Sequence, residues 1–167
     1  NIKFSSIAVE TTENAILAAC GAKGRTVLNN CAVEPEILDL ISYLKKLNFK
    51  IKVSGRKITI IGNKFVSKKI NHKVIFDRIE AGTYLIAGAL IGEKIIIKQI
   101  NTKFLKYEVQ VLKKAGVKIY KTKNSITIFK SKNLKNLNIS TKPFPGFPTD
   151  LQAQLMVLMT QIKGISK

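Results

Sequence analysis

The sequence predicts an α/β protein built from repeats of one strand–helix–strand–helix–strand–strand unit. Three observations carry this: a duplication at a fixed offset of 68 residues, helical apolar spacing alternating with period-two runs, and glycine or proline stops between them. Tyr43 to Lys52 overlies Val111 to Tyr120, and Arg56 to Ile60 overlies Asn124 to Ile128, so that Leu44, Lys45, Lys46, Lys50, Ile51, Ile58, Thr59 and Ile60 fall on identical residue types. Upstream, Leu17, Ala19 and Gly24 fall on Leu85, Ala87 and Gly92 without a gap.

In the first copy, Ile2 to Val9 is an apolar-rich run expected to be extended. Thr12 to Ala22 carries Ala15, Ile16, Ala18 and Ala19 at helical spacing, with Gly24 as the stop. Arg25 to Asn30 reads as a strand. Glu34-Pro35-Glu36 opens a second helix, since proline in a first turn forfeits no needed N–H and acids there meet the positive end of the dipole. Ile37, Leu40, Ile41, Leu44 and Leu47 make its apolar face. Phe49 to Val53 and Lys57 to Ile61 alternate around Ser54-Gly55, a hairpin signal.

The second copy predicts a strand near Val74 to Phe76, a helix from Ile79 to Ile91, a strand from Lys94 to Ile100, and a helix from Lys103 to Ala115. A hairpin turning at Lys123-Asn124 completes it. A third copy starts with a strand at Leu137 to Ser140, bends through Pro143 to Pro148, and enters a helix from Thr149 to Lys163, with Gly164 in the place of Gly24. The strand due next does not fit before Lys167, so the chain is expected to be an internal piece of a longer protein. Period-two faces argue sheets solvated on one side and covered by helices on the other.

Composition narrows the function classes. A hydrophobic fraction of 46% over 167 residues suits a globular core, as does a mean hydropathy of +0.09. No apolar run approaches the roughly 20 residues that span a bilayer. Cys20 and Cys31 lack metal-ligand spacing and read as small buried residues in a reducing compartment. His72 is the one histidine, which argues against a metal site or a Ser-His-Asp triad; its polar surroundings read as a solvated loop.

The net charge of +19 raises nucleic-acid binding. Against it, the cations are nearly all lysine, with arginine only at 25, 56 and 78, and they are spread along every element with no aromatic stacking motif. Neither a nucleic-acid nor a membrane partner is expected, and no cofactor or metal. A basic nucleic-acid-binding repeat protein is the competing class.

Three stretches exceed what the repeat requires: Ala32 to Ile37, Asp77 to Thr83, and Phe147 to Gln154. Each has a plain structural reading. Acids at helix starts favour the dipole, Arg78 could pair with Asp77 or Glu80, and Thr149 with Gln152 could form a capping box worth about 1 kcal/mol. The proline-rich approach, however, also presents Asp150 at a helix N-terminus, where its charged form is stabilised and suited to accept a proton.

Thr12-Glu-Asn14, Gly24-Arg-Thr-Val27, Glu34-Pro-Glu-Ile37, Asp77-Arg-Ile-Glu-Ala-Gly-Thr83 and Phe147-Pro-Thr-Asp-Leu-Gln-Ala-Gln154 occur in that order. With these motifs the chain resembles the UDP-N-acetylglucosamine 1-carboxyvinyltransferases, enolpyruvyl transferases of peptidoglycan precursor synthesis. The shikimate-pathway enolpyruvyl transferases share the fold, but the last run is not expected in them. The resemblance implies an inside-out α/β barrel, three units to a lobe, with substrates between lobes. Residues 1–74 would then close one lobe and 75–167 open the other, the Lys-rich stretch Asn63 to Asn71 lying just before the crossover.

It further implies a cytoplasmic enzyme that moves the enolpyruvyl group of phosphoenolpyruvate to the 3-hydroxyl of UDP-N-acetylglucosamine. Asp150 matches the aspartate that contacts this hydroxyl and takes its proton. Ser6, Ile7, Ala8 and Val9 match the stretch lining the diphosphate and uridine. Ala8 stands where serine is usual, and Glu10 where a small residue is. The family's mobile-loop cysteine would lie upstream of Asn1, and its phosphoenolpyruvate-binding lysine and arginines also outside the chain, so this piece alone is not expected to turn over. A homologue that kept the fold and lost the chemistry is the third reading.

Overall fold

A computed structural model describes residues 1–63 and 68–167. Residues 64–67, in the middle of the Lys-rich stretch, lie outside the described residues. The chain divides into two compact units, Asn1–Ile75 and Phe76–Lys167.

In the first unit the order is β1 (Ile2–Lys3), α1 (Val9–Gly21), β2 (Gly24–Asn29), α2 (Pro35–Lys46), β3 (Lys50–Ser54) and β4 (Lys57–Gly62). The sheet order is β1-β2-β4-β3; β1 runs parallel to β2 and the other pairs are antiparallel. The second unit repeats this with α3 (Arg78–Leu90), β5 (Lys94–Lys98), α4 (Lys106–Lys114), β6 (Ile119–Lys121) and β7 (Ser125–Phe129), in a sheet of order β5-β7-β6. A 3-10 turn (Thr149–Leu151) then leads into α5 (Gln152–Thr160).

The duplication survives into packing. Ile51, Ile58 and Ile60 are buried in the first core, and Ile119, Ile126 and Ile128 occupy the same repeat positions in the second. The backbone repeats too: Asn48, with φ of 68°, and Gly116, with φ of 90°, both take the left-handed conformation just past α2 and α4. The helices cover one face of each sheet while Lys50, Lys52, Lys94 and Lys98 alternate outward into solvent.

Several local expectations are corrected. The strand predicted over Ile2 to Val9 is only Ile2–Lys3: after Phe4 donates to the Asn29 carbonyl, the chain bends at Ser5-Ser6 and α1 begins at Val9. Among the described residues, Val74 to Phe76 and Leu137 to Ser140 are not strands. The latter segment instead exchanges hydrogen bonds with the C-terminal residue, from Ile139 N to Lys167 O at 2.7 Å and from Lys167 N to Leu137 O at 3.3 Å. This is the bonding pattern of an incipient parallel pair, like that of β1 with β2. The helix expected from Lys103 starts at Lys106, because Asn101 closes a turn first, accepting from Phe104 N at its carbonyl and Lys103 N at its side chain.

Two further corrections concern polar groups. His72 is not a solvated loop residue. Its Nε2 lies 3.1 Å from both Asp39 oxygens, its side chain is 9% exposed, and its ring meets Tyr43 edge-on. The capping box does not form either. Gln152 N–H bonds the backbone carbonyl of Thr149 in the 3-10 turn, so Thr149 caps nothing with its side chain.

Gly62 ends β4 where a Cβ would collide with the backbone carbonyl of Ala22. A backbone atom cannot step aside as a side chain can, so Gly62→Ala is expected to destabilise the chain by about 2 kcal/mol or more. Urea denaturation checks this; an unchanged midpoint would show that α1 does not approach β4 so closely.

Candidate functional site

In the second unit, two of the sequence motifs meet. Asp77 caps α3, its Oδ1 accepting from Ile79 N at 2.7 Å and Glu80 N at 3.0 Å. That satisfies two orphan donors and fixes where the helix starts. One face of α3 then receives the segment before α5. Gly82 leaves room for Leu151, which is fully buried; a Cβ at Gly82 would fall on its side chain. One residue on, Thr83 Oγ1 accepts from Gln154 Nε2 at 3.0 Å while donating to the Ile79 carbonyl.

Arg78 does not pair with Asp77 or Glu80, as its position in the sequence suggests. It is 6% exposed, with Nη1 3.6 Å from Oε1 of Glu108 on α4, itself 3% exposed. The guanidinium also lies over the Phe144 ring, 5.9 Å from the centroid. The approach loop is tied down as well. Lys142 N donates to the Phe147 carbonyl and Gly146 N to that of Pro143, both at 2.9 Å, and the Phe147 side chain is buried.

Asp150 is the second residue of the 3-10 turn that follows. It is exposed, and among the described residues its carboxylate accepts no hydrogen bond. Its neighbour Leu151 is wholly buried. The turn is therefore anchored on one side and presents an exposed carboxylate on the other.

In the first unit, Ser6 is exposed and Ile7, Ala8 and Val9 are half-buried at the entrance to α1. Buried Thr12 holds this stretch: its Oγ1 donates to the Ala8 carbonyl at 2.8 Å and accepts from Ala32 N at 3.0 Å. Asn30 Nδ2 donates to the Phe4 carbonyl at 3.0 Å. These bonds explain why threonine and not valine stands at position 12. Asp150 belongs to the other unit.

Electrostatically the start of α1 is crowded with acid. Burial, then repulsion from Glu36 and Glu10, raise Glu13 above the ordinary glutamate value. Burial likewise raises both thiols, Cys20 and Cys31, which suits inert core residues. Among the described residues no group of three or more His, Cys, Asp or Glu is placed to hold a metal ion, and no helix is long and apolar enough to cross a membrane. A groove of about 600 Å³ beside α5 is lined by Phe147, Leu155, Met156 and Met159 among others. Ser140, Thr141, Gln152, Thr160, Ser166 and Lys167 add polar groups to its lining, and Asp150 is not part of it.

Known proteins are similar to this chain in sequence and in fold. The family model described as EPSP synthase (3-phosphoshikimate 1-carboxyvinyltransferase) matches residues 1–167. The chain belongs to that family. Within it, the chain is 50% identical over 159 residues to a UDP-N-acetylglucosamine 1-carboxyvinyltransferase of Pelagibacter ubique (strain HTCC1062), covering 95% of this chain and 38% of that protein. It is 46% identical over 167 residues to the protein of the same name from Prochlorococcus marinus (strain AS9601), covering 100% of this chain and 36% of the relative. The chain thus spans little more than a third of the length of the relatives it matches.

Among solved structures, the enolpyruvyl transferase NikO from Streptomyces tendae superimposes with a TM-score of 0.82 at 23% identity, over 93% of this chain and 38% of that one. EPSP synthase from Acinetobacter baumannii gives 0.55 at 19% identity, over 95% of this chain and 35% of that one. These likenesses bear out the fold class, an inside-out α/β barrel of repeated units, of which this chain supplies part.

Sequence reasoning missed Gln154 with Thr83, and Arg78 with Glu108. A signal was present for both. The duplication sets Thr83 on Ala15, Arg78 on Glu10 and Glu108 on Leu40, so the copies diverge in chemical type at each of these positions.

Glu13 supplies a pH test. Its raised value means the folded state holds a proton that the unfolded chain has already lost. Stability therefore falls as pH rises through the window above the ordinary glutamate range, and the loss persists at neutral pH. Glu13→Gln is expected to raise the melting temperature at pH 7 and leave it unchanged at about pH 3, where carboxylates are protonated in both states. An equal change at both values would assign the effect to packing.

Proposed function

We propose that this chain is part of an enzyme that transfers the enolpyruvyl group of phosphoenolpyruvate to the 3-hydroxyl of UDP-N-acetylglucosamine, releasing phosphate, in peptidoglycan precursor synthesis. The observation that carries the reading is Asp150: an exposed carboxylate without a partner among the described residues, on a turn whose other side is locked against α3. It stands in the run Phe147 to Gln154 of a chain half identical to a protein of that name.

In the reaction, a bond forms between the sugar 3-oxygen and C2 of phosphoenolpyruvate, and the bond from C2 to the phosphate oxygen breaks. The hydroxyl proton must leave as its oxygen becomes a nucleophile, and Asp150 takes it. A general base has to sit within hydrogen-bond reach of that proton, about 2.6–3.2 Å between heavy atoms, and an anchored turn preserves such a geometry. Ser6, Ile7, Ala8 and Val9 would line the nucleotide's diphosphate and uridine, with backbone amides at the open start of α1 turned to an anion. Residues 1–74 would close one lobe of the whole protein and 75–167 open the other. A cytoplasmic location follows from the same reading.

Glu10 works against this binding. It lies exposed in the first turn of α1, close enough to Glu13 to repel it. A carboxylate about 4 Å from a phosphate charge costs roughly 1 kcal/mol in water-like surroundings, and more where water is excluded.

Asp150→Asn in the full-length protein is expected to lower turnover roughly 10²–10⁴-fold, with the melting temperature nearly unchanged because the side chain makes no internal bond. Phosphate release from phosphoenolpyruvate, dependent on UDP-N-acetylglucosamine, measures the first and calorimetry the second; normal turnover refutes the assignment. Glu10→Gly is expected to tighten UDP-N-acetylglucosamine binding about fivefold, the equivalent of roughly 1 kcal/mol. Titration calorimetry giving an unchanged affinity would place the nucleotide away from the start of α1.

A further inference from the structure

The pair formed by Arg78 and Glu108 is buried almost completely, at 6% and 3% exposure. Burying an ion pair is a poor way to stabilise a core, because desolvation offsets the attraction and apolar replacements of similar volume do as well or better. The first unit shows this within the same chain. At the repeat positions it carries Glu10, exposed on α1, and Leu40, half-buried on α2, and it sets two helices on strands β2, β4 and β3, the equivalents of β5, β7 and β6, with no ion pair there among the described residues. The fold of a unit does not call for the charges.

What the second unit has in addition is the proline-rich loop, and Arg78 reaches it. The guanidinium sits 3.6 Å from the Glu108 carboxylate and 5.9 Å from the centre of the Phe144 ring. A planar cation is the group that can satisfy a carboxylate and lie over an aromatic face at once; a lysine ammonium has no plane to offer. Phe144 opens the bend that continues through buried Phe147 to the turn bearing Asp150. On the far side of Asp150 the chain is fixed by Leu151 against Gly82 and Gln154 on Thr83. The carboxylate is thus aimed from both sides by α3, by contact after it and by Arg78 before it.

We propose that Arg78 is a positioning residue. Held by Glu108 and laid over Phe144, it sets the course of the Pro143–Pro148 loop and so the direction of the Asp150 carboxylate. The inference rests on the reading of Asp150 as the proton acceptor. It touches no substrate and acts only through that group.

A double-mutant cycle in the full-length protein tests it, read by kcat and by KM for both substrates. Arg78→Met is expected to lower kcat roughly 10- to 100-fold, the scale of a misplacement of about 1 Å, with each KM within about threefold. In an Asp150→Asn background the same substitution should change kcat less than about threefold, because residues that act as one unit are not additive. If Arg78→Met does not fold, Phe144→Leu leaves the ion pair in place and should give the same pattern. An equal loss in both backgrounds, or no loss with Asp150 present, overturns the inference while leaving Asp150 as the base. Normal turnover of Asp150→Asn itself removes the reading on which it stands, and the inference with it.

Discussion

The arrangement of the second unit depends on how closely the segment around Leu151 can approach α3. At Gly82 the helix has no side chain, and Leu151, wholly buried, occupies the space one would fill. That contact brings α5 near enough for Gln154 to reach Thr83. With Leu151 facing in, Asp150 on the same 3-10 turn faces out. A missing methyl group on one helix thereby determines where a carboxylate stands five elements later. Core packing is intolerant of even one extra methylene, which is why so small an absence can hold so much.

The internal duplication separates what builds the unit from what equips it. Buried isoleucines recur at equivalent positions in both sheets, and the left-handed residue past the second helix recurs as Asn48 and Gly116. These serve the scaffold. The copies part company at the starts of their first helices. In the first unit Glu10 and Glu13 sit there with Glu36 nearby, and the mutual repulsion of carboxylates shows in Glu13. In the second, the same region carries a capping aspartate, a buried arginine and a glycine. One scaffold has thus been given an entrance where carboxylates repel one another in one copy, and in the other an entrance where an aspartate caps the helix and a glycine admits Leu151.

Much of the scaffold was legible in the sequence, because it rests on short-range regularities. Alternation around Ser54-Gly55 and Lys123-Asn124 located both hairpins, and Glu34-Pro35 located the start of α2. What escaped depends on partners distant along the chain. Arg78 has acids beside it in sequence, yet its partner is Glu108, thirty residues on and buried with it. His72 looked solvated until Asp39, on another element, came within 3.1 Å. Thr149 and Gln152 have the spacing of a capping box, but the backbone carbonyl of Thr149 takes the Gln152 amide first, and local pattern does not distinguish a tight turn from a regular one. The place of Asp150 at a helix start was legible, because the proline-rich approach to it is a local signal; its role as proton acceptor is a proposal.

The central claim is that the anchored turn offers Asp150 to a sugar hydroxyl. The most direct measurement is a crystal structure of the full-length protein with UDP-N-acetylglucosamine bound. The account predicts the Asp150 carboxylate within hydrogen-bond distance of the sugar 3-hydroxyl, about 2.6–3.2 Å, with Leu151 still seated against Gly82. A sugar whose 3-hydroxyl bonds some other group, with Asp150 left facing solvent, would contradict it.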